Sequence, residues 1–408
     1  MFQALRDSIA FDYALQTLQS YLQNLSVSSA VMTVLMAFMV VGLVDKLGGN
    51  RLGYGAQFEA GFLAMGDLAL AILGIISLSP VLLLVFEPIV SPLCRLIGAS
   101  PAIFASLIAV DQGGYALALQ LAGEADPAAG QYMGLIVSSM LGITVCFTIP
   151  YALRMTGEED RGILGTGILI GIVTMPVGCL IGGLLMVFTS TPISLSALWA
   201  NTLPVILLAA VVASGLAFRP ALMMRGFVAF GRILTVVVAV SPVVAIFQYV
   251  TGIHLPLFYR MVVYDPILKA IPLESALLMV GQIAIVLCGA FPFIHFLSRR
   301  LAGPLDWLGS RLGIDPEAAA GLPIQLANSI PVWSRIGRMN DRGKLLNVAF
   351  AVSGSYTIGD VLAFVGGVNP EMVFPMLAGK LSAGVLAIWL AAALSRTPRI
   401  LPIRRIEN

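Results

Sequence analysis

Nine apolar runs, each long enough to cross a bilayer, leave this chain few folds to choose from. They fall at Val27–Val44, Ala60–Phe86, Gln131–Leu153, Ile163–Phe188, Leu198–Phe218, Ile233–Val250, Leu273–Leu297, Leu345–Val365 and Met372–Leu394. A hydrocarbon core about 30 Å thick needs about 20 such residues per helix. Lipid supplies no hydrogen bonds, so each backbone N–H and C=O must be satisfied within the protein, which favours helices. The expected class is therefore an all-α polytopic membrane protein. Charged residues are only 11% of the chain against 59% hydrophobic, too few to coat a soluble core of this size. The net charge of +2 is small and dispersed, which argues against a nucleic-acid partner.

Two further apolar segments are interrupted. Pro101–Val110 is broken by Asp111-Gln112-Gly113-Gly114 before Tyr115–Leu121, and Pro316–Leu326 is broken near Asn328-Ser329-Ile330-Pro331. Neither half can span alone. The segments either cross as broken helices or re-enter as hairpins, and Lys and Arg, enriched on the cytoplasmic side, separate the two cases. If both are re-entrant, one face carries 4 basic residues and the other 18, with Lys380 inside a span; if both cross, the split is 10 against 12. The re-entrant reading is chosen. It gives nine full spans plus two hairpins, an outside N-terminus and a cytoplasmic C-terminus.

An offset of 215 positions relates Glu59 and Gly66 to Glu274 and Gly281, Gly98-Ala-Ser-Pro101 to Gly313-Ile-Asp-Pro316, and Ser138 to Ser353. With the charge-derived topology this is an inverted repeat, a recurrent plan of secondary transporters. The expected organisation is an N-terminal extension (1–26, periplasmic or interfacial), a first repeat (27–190), a connecting span (198–218), a second repeat (230–395) and a basic cytoplasmic tail (396–408). No signal-peptide pattern opens the chain.

Ionisable groups at membrane depth are costly and usually serve a pathway. Here they are Glu59, Asp67, Asp111, Glu274, Asp360 and Lys380. Glu59 and Glu274 sit at helix starts, where the macrodipole favours an anion, so capping competes with function for both. Asp111 ends one half of a hairpin before Gly113 and Gly114, which permit unusual backbone angles. Its counterpart is the break at Asn328, where Pro331 prevents a continuous helix. Irregular backbone at this depth lines protein or a cavity, so Asp111 and Asn328 are the leading substrate contacts, expected near the midplane between the two hairpins. Asp360 needs a partner, and Lys380 in the next helix is the candidate. Tyr115 and Phe350, with Phe104 and Tyr356, stand near the breaks and can offer cation–π faces, although packing is the plainer role for each. Cys94, Cys146, Cys179 and Cys288 stand singly, and His254 and His295 lie far apart, so no metal site or cofactor is expected.

Several motifs carry a resemblance. Gln57-Phe-Glu-Ala-Gly-Phe-Leu-Ala-Met-Gly66, Asp111-x-Gly-Gly, Phe147-Thr-Ile-Pro150, Ile172-Val-Thr-Met-Pro-Val-Gly-Cys179, Leu326-Ala-Asn-Ser-Ile-Pro331, Gly343-Lys344, Ile358-Gly-Asp360 and Phe374-Pro-x-x-x-Gly-Lys380 occur in order from Val31 to Leu394. Together they resemble the EutH family, the ethanolamine permeases of ethanolamine-utilisation operons. The resemblance implies a multi-pass protein of the bacterial inner membrane that imports ethanolamine for breakdown by a cobalamin-dependent lyase. It adds Gln57 and Glu59 to the expected substrate contacts and leaves homodimerisation open. Asp67 departs from the family pattern, as do Leu141 and Ile143 around Gly142 and the extension before Leu25; these bear on substrate range more than on family.

Other readings are weaker. An intramembrane aspartyl protease needs paired aspartates; Tyr264-Asp265 and Ile358-Gly359-Asp360 only faintly resemble its motifs, because Thr357 replaces a glycine and Asp265 lies in a loop. A scaffold has no use for buried charge. The main competitor within transport is an ion-coupled carrier of another small amine or amino acid. For topology, reporter fusions after Gly49 and after Asn408 should both report cytoplasm; a periplasmic signal at either would overturn the hairpin assignment.

Overall fold

The computed structural model describes residues 11–108 and 114–396, all helices and connections with no strand among them. A short amphipathic helix α1 (Phe11–Gln23) precedes α2 (Val27–Leu47). Ser26 opens α2 with a reciprocal cap: its hydroxyl accepts the Ser29 amide, and the Ser29 side chain accepts the Ser26 amide, satisfying two groups the helix would otherwise leave unpaired. Then come α3 (Tyr54–Leu96), α4 (Ile103–Leu107), α5 (Gly114–Ala122), α6 (Pro127–Met155), α7 (Arg161–Leu185), α8 (Leu195–Phe218), α9 (Pro220–Thr251) and α10 (Pro272–Leu312). The chain ends with α11 (Pro316–Ala327), α12 (Ile330–Trp333), α13 (Asp341–Gly354), α14 (Asp360–Val368) and α15 (Val373–Leu394).

Eight of the described helices are long and apolar enough to cross a membrane, so the chain is an all-α, multi-pass membrane protein. The expected span Leu345–Val365 needs correction. It is two half-helices, α13 and α14, separated by a turn over 355–359. Hydropathy is blind to such a break, because the segment stays apolar on average across Ser355, Tyr356, Thr357 and Asp360.

In each interrupted segment the described residues enter and leave at the same end of the bundle. Asp315 caps α11 by accepting the Ala318 amide at 2.8 Å, and the same carboxylate accepts the amide of Asn340, just before α13. The α11–α12 hairpin thus begins and ends at one end of the bundle. That end also holds the start of α7, because Asp160 accepts two hydrogen bonds from Lys344 Nζ, both 2.7 Å. The α4–α5 hairpin is held at the other end. There the Ser100 amide donates to Asn201 near the start of α8 (2.7 Å), and Gln120 donates to Asp265 in the loop joining α9 to α10 (2.8 Å). Because α7 crosses once between these two groups of contacts, the hairpins open to opposite ends.

The element order therefore repeats: a helix, a very long helix, a hairpin, an irregular span and a closing helix. Gly98 and Gly313, 215 positions apart, end the two long helices with the same left-handed φ of 67°, a conformation glycine adopts without penalty. The most extensive packing joins repeat equivalents, α3 on α10 and α7 on α15. At the α7–α15 crossing a Cβ on Gly178 would come 2.5 Å from the Gly379 carbonyl, and one on Gly379 would come 2.7 Å from that of Gly178. Small residues let the backbones touch where lipid provides no hydrophobic drive for association.

Where α13 breaks, its turn is joined to the end of α11. The Tyr356 amide donates to the Gln325 carbonyl (2.8 Å), and the Ile358 and Gly359 amides both donate to the Leu326 carbonyl (2.8 and 3.2 Å). A Cβ on Gly359 would lie 2.1 Å from the Ala327 carbonyl oxygen. Gly359→Ala should accordingly cost roughly 1–3 kcal/mol, the usual range for overpacking, read as a lower melting temperature in detergent. Lys344 and Asp160 are a second stability test: their side chains are only 11% and 10% exposed. Lys344→Met should cost about 3–5 kcal/mol by stranding a buried carboxylate, and adding Asp160→Asn should restore most of the melting temperature.

Candidate functional site

The two joined breaks border a cavity of about 520 Å³. Ala60, Leu63, Ala64, Leu68 and Ile72 of α3 form one wall, and Ile283 and Phe291 of α10 another; Ile143 and Phe147 of α6, Asn328 and Ile330 of the hairpin, and Tyr356, Asp360 and Phe364 complete it. Most of this lining is aliphatic or aromatic, with one carboxylate and one carboxamide among it.

Each polar group is placed by local backbone. Asn328 ends α11 with extended backbone, and its side-chain oxygen accepts the Ile330 amide at 2.8 Å. This turn leaves the Asn328 NH₂ group as the donor available to a ligand. Asp360 occupies the first turn of α14 immediately after Gly359, where the helix dipole favours a negative charge. Tyr356 lies between them with φ of 61°, a region a bulky residue occupies only when its surroundings hold it there. Its amide is bonded to α11, and its hydroxyl lies 2.6 Å from Ser329 Oγ, which also accepts from Trp333 Nε1 at 3.1 Å. The Tyr356 ring is thus fixed at both ends. Phe147 meets it edge-on, with centroids 6.2 Å apart at 76°.

The wall carrying Phe147 is irregular too. Within α6, residues Tyr132–Gly142 and Thr144–Thr148 adopt π-helical geometry, a rare form concentrated at functional sites. Its carbonyls take bonds from outside the helix: Ser106 Oγ donates to Met133 O at 2.8 Å, and Lys380 Nζ donates to Ser139 O. The Thr144 hydroxyl donates to the Val352 carbonyl of α13, tying the π segment to the broken span.

The expected site residues scatter. Asn328 and Asp360 meet at the cavity. Asp111 and Gly113 lie outside the described residues, as does the side chain of Asp67; Gly114 begins α5. Pro331 lies in the first turn of α12, beside the lining residue Ile330. Glu59 is 55% exposed and pairs with Lys46 at 2.8 Å, so its charge is met by α2 rather than by a ligand. Gln57, half-buried in the first turn of α3, is not among the lining residues; that motif contributes its apolar positions Ala60, Leu63 and Ala64 instead. Tyr115 stands behind the wall, its hydroxyl accepting from Gln131 Nε2 at 3.1 Å and its ring edge-on to Phe364. Phe350 packs against Gly354 and Gly384.

Lys380 also needs correction. It is 1% exposed and donates to Ser139 O, in place of the expected pair with Asp360. The rotation of α15 aims Lys380 at α6. The buried pair the protein does contain, Lys344 with Asp160, joins residues 184 apart, and nothing in either local sequence points to the other. Phe364 was legible in principle: it follows Asp360 by four residues, hence on the same helical face. Phe147 opens a recognised motif, yet its approach to Tyr356 depends on how α6 packs. Asp265, half of the protease pattern, accepts the Ile267 and Leu268 amides and Gln120, a turn-forming role. No cluster of three or more His, Cys, Asp or Glu side chains occurs among the described residues.

Comparison with known proteins bears on this geometry. The family model described as "Ethanolamine utilisation protein, EutH" matches residues 27–394. A "Probable ethanolamine permease EutH" of Listeria monocytogenes is 43% identical over 365 residues, covering 89% of this chain and 93% of that protein. Proteins of the same name from Salmonella typhimurium and Escherichia coli are 37% and 38% identical over 392 residues, covering 91% of this chain and 96% of each relative. No solved structure matches. A family match that runs from the first residue of α2 to the last of α15, and so takes in both hairpins and the broken span, places this multi-pass membrane chain in the EutH family.

Proposed function

We propose that the protein is a permease for ethanolamine, which it binds as the ethanolammonium cation in the cavity between the Asn328 and Asp360 breaks. The observation that carries this reading is the pairing of one carboxylate with one carboxamide in an otherwise apolar cavity. Asp360 supplies the counter-charge, and the Asn328 NH₂ group supplies a donor to the substrate hydroxyl. Aromatic faces at Phe147, Tyr356 and Phe364 complete a wall suited to a small cation. The relatives' names support the substrate, and the naming of these relatives as permeases supports transport rather than catalysis.

Transport then follows from the two hairpins. They open to opposite ends of the bundle, and one of them contributes Asn328 to the cavity. Movement of one repeat against the other about a fixed site is how such architectures alternate access. The expected partner site at the tip of the first hairpin, around Asp111, lies outside the described residues and stays part of the proposal. So do placement in the bacterial inner membrane, an outside N-terminus and a cytoplasmic C-terminus, which rest on the 18-to-4 charge division.

The test is uptake of labelled ethanolamine into proteoliposomes at mildly acidic pH, where passive leak of the neutral amine is slow. Uptake should exceed that of protein-free vesicles and saturate. Asp360→Asn should weaken binding by about ten- to a hundred-fold, the worth of a hydrogen bond to a charged group, in a variant that still folds. Uptake no faster than the protein-free control would overturn the function, and near-normal affinity in folded Asp360→Asn would move the site elsewhere.

A further inference from the structure

We propose that the cavity also accepts N-methylated ethanolamines, up to the quaternary trimethyl compound, with affinity at least equal to that for the primary amine. The inference rests on the reading of this cavity as an ethanolammonium site and deepens it by naming the substrate class.

Four aromatic rings share the cavity with Asp360, Phe291 of α10 among them. Phe364 lies one helical turn beyond it in α14, Tyr356 precedes it across the break, and Phe147 meets Tyr356 at 6.2 Å. Tyr356 holds a left-handed backbone conformation, and both its amide and its hydroxyl are bonded to the hairpin. Its ring is therefore a preorganised surface. Rings gathered about a carboxylate suit quaternary ammonium groups, whose charge is spread over methyls that touch the ring faces.

Hydrogen-bond supply points the same way. A primary ammonium brings three N–H donors. Among the described lining residues, the side-chain oxygens belong to Asn328, Tyr356 and Asp360. The Asn328 oxygen already accepts the Ile330 amide, and the Tyr356 hydroxyl is engaged with Ser329. A trimethylammonium group asks for no acceptors, and each methyl gains by leaving water for the Ala, Leu and Ile lining, by roughly four-fold in affinity per buried carbon. Size permits it. About 520 Å³ lies within the ~300–1,000 Å³ typical of sites that enclose drug-sized ligands, far more than a solute of four non-hydrogen atoms fills.

The experiment is displacement of labelled ethanolamine from the purified full-length protein by ethanolamine and its N-methyl, N,N-dimethyl and N,N,N-trimethyl homologues. The trimethyl compound should displace the label at least as well as ethanolamine. Phe147→Leu should weaken the trimethyl compound about ten-fold and ethanolamine less, and Phe147→Tyr, which keeps a ring, should preserve both. Ethanolamine binding with the trimethyl compound a hundred-fold weaker would overturn the inference and leave the permease reading standing. Binding of neither would overturn the permease reading. Equal losses for both ligands in folded Phe147→Leu would remove the aromatic wall as the cause. Should that variant fail to fold, the wild-type series decides alone.

Discussion

Backbone polarity inside a bilayer is the constraint on which the structure depends. A helix broken at membrane depth leaves carbonyls at the end of one half and amides at the start of the other, and lipid can satisfy neither. Here two breaks satisfy each other. The carbonyls of Gln325 and Leu326, at the end of α11, receive the amides of Tyr356, Ile358 and Gly359 from the turn between α13 and α14. The contact requires a glycine at 359, because the Ala327 carbonyl occupies the space a Cβ would need. It also fixes the site. Asn328 lies two residues after the last accepting carbonyl and Asp360 immediately follows the donating amides, so the carboxamide and carboxylate reach one cavity because their backbones are bonded together.

The buried cations have a different logic. Lys344 is satisfied by a carboxylate across the bundle, and the pair closes the end where the second hairpin begins and ends. Lys380 is held by a backbone carbonyl of a π-helical segment. A π turn changes how carbonyls are shared along the helix, so irregularity in α6 and a buried lysine in α15 explain each other better than either does alone. The same segment carries Ile143 and Phe147 into the cavity wall, which couples the packing of Lys380 to the shape of the site.

Much of the architecture was legible in the residues. The hairpins were visible as apolar segments too short to span on either side of Asp111–Gly114 and Asn328–Pro331, and the division of Lys and Arg chose re-entry over crossing. The bonds from Asp315 to Asn340 and from Ser100 and Gln120 to the opposite end agree with that choice. The break in the span Leu345–Val365 was not legible, since Ser355, Tyr356 and Thr357 are tolerated in membrane helices and only contact with α11 draws the amides of Tyr356, Ile358 and Gly359 away. Of the site, Asn328 and Asp360 could be picked out because polar groups in apolar segments are conspicuous. Of the aromatic wall, Tyr356 stood out by its place near the breaks and Phe364 by its spacing from Asp360. Phe147 could not be singled out, because many Phe and Tyr residues occupy membrane-facing and packing positions alike.

What the sequence determined by itself was the class of fold, the order of the apolar segments and the family. These are properties of each segment measured against its solvent: a run of residues is apolar or it is not, and lipid enforces the outcome one segment at a time. What only the tertiary structure decided was which polar groups meet. Glu59 turned to Lys46, while Lys380 turned to Ser139, 241 residues away. Such pairings depend on the rotation of each helix about its axis and on distances of a few ångströms between segments remote in the chain, and hydropathy carries neither.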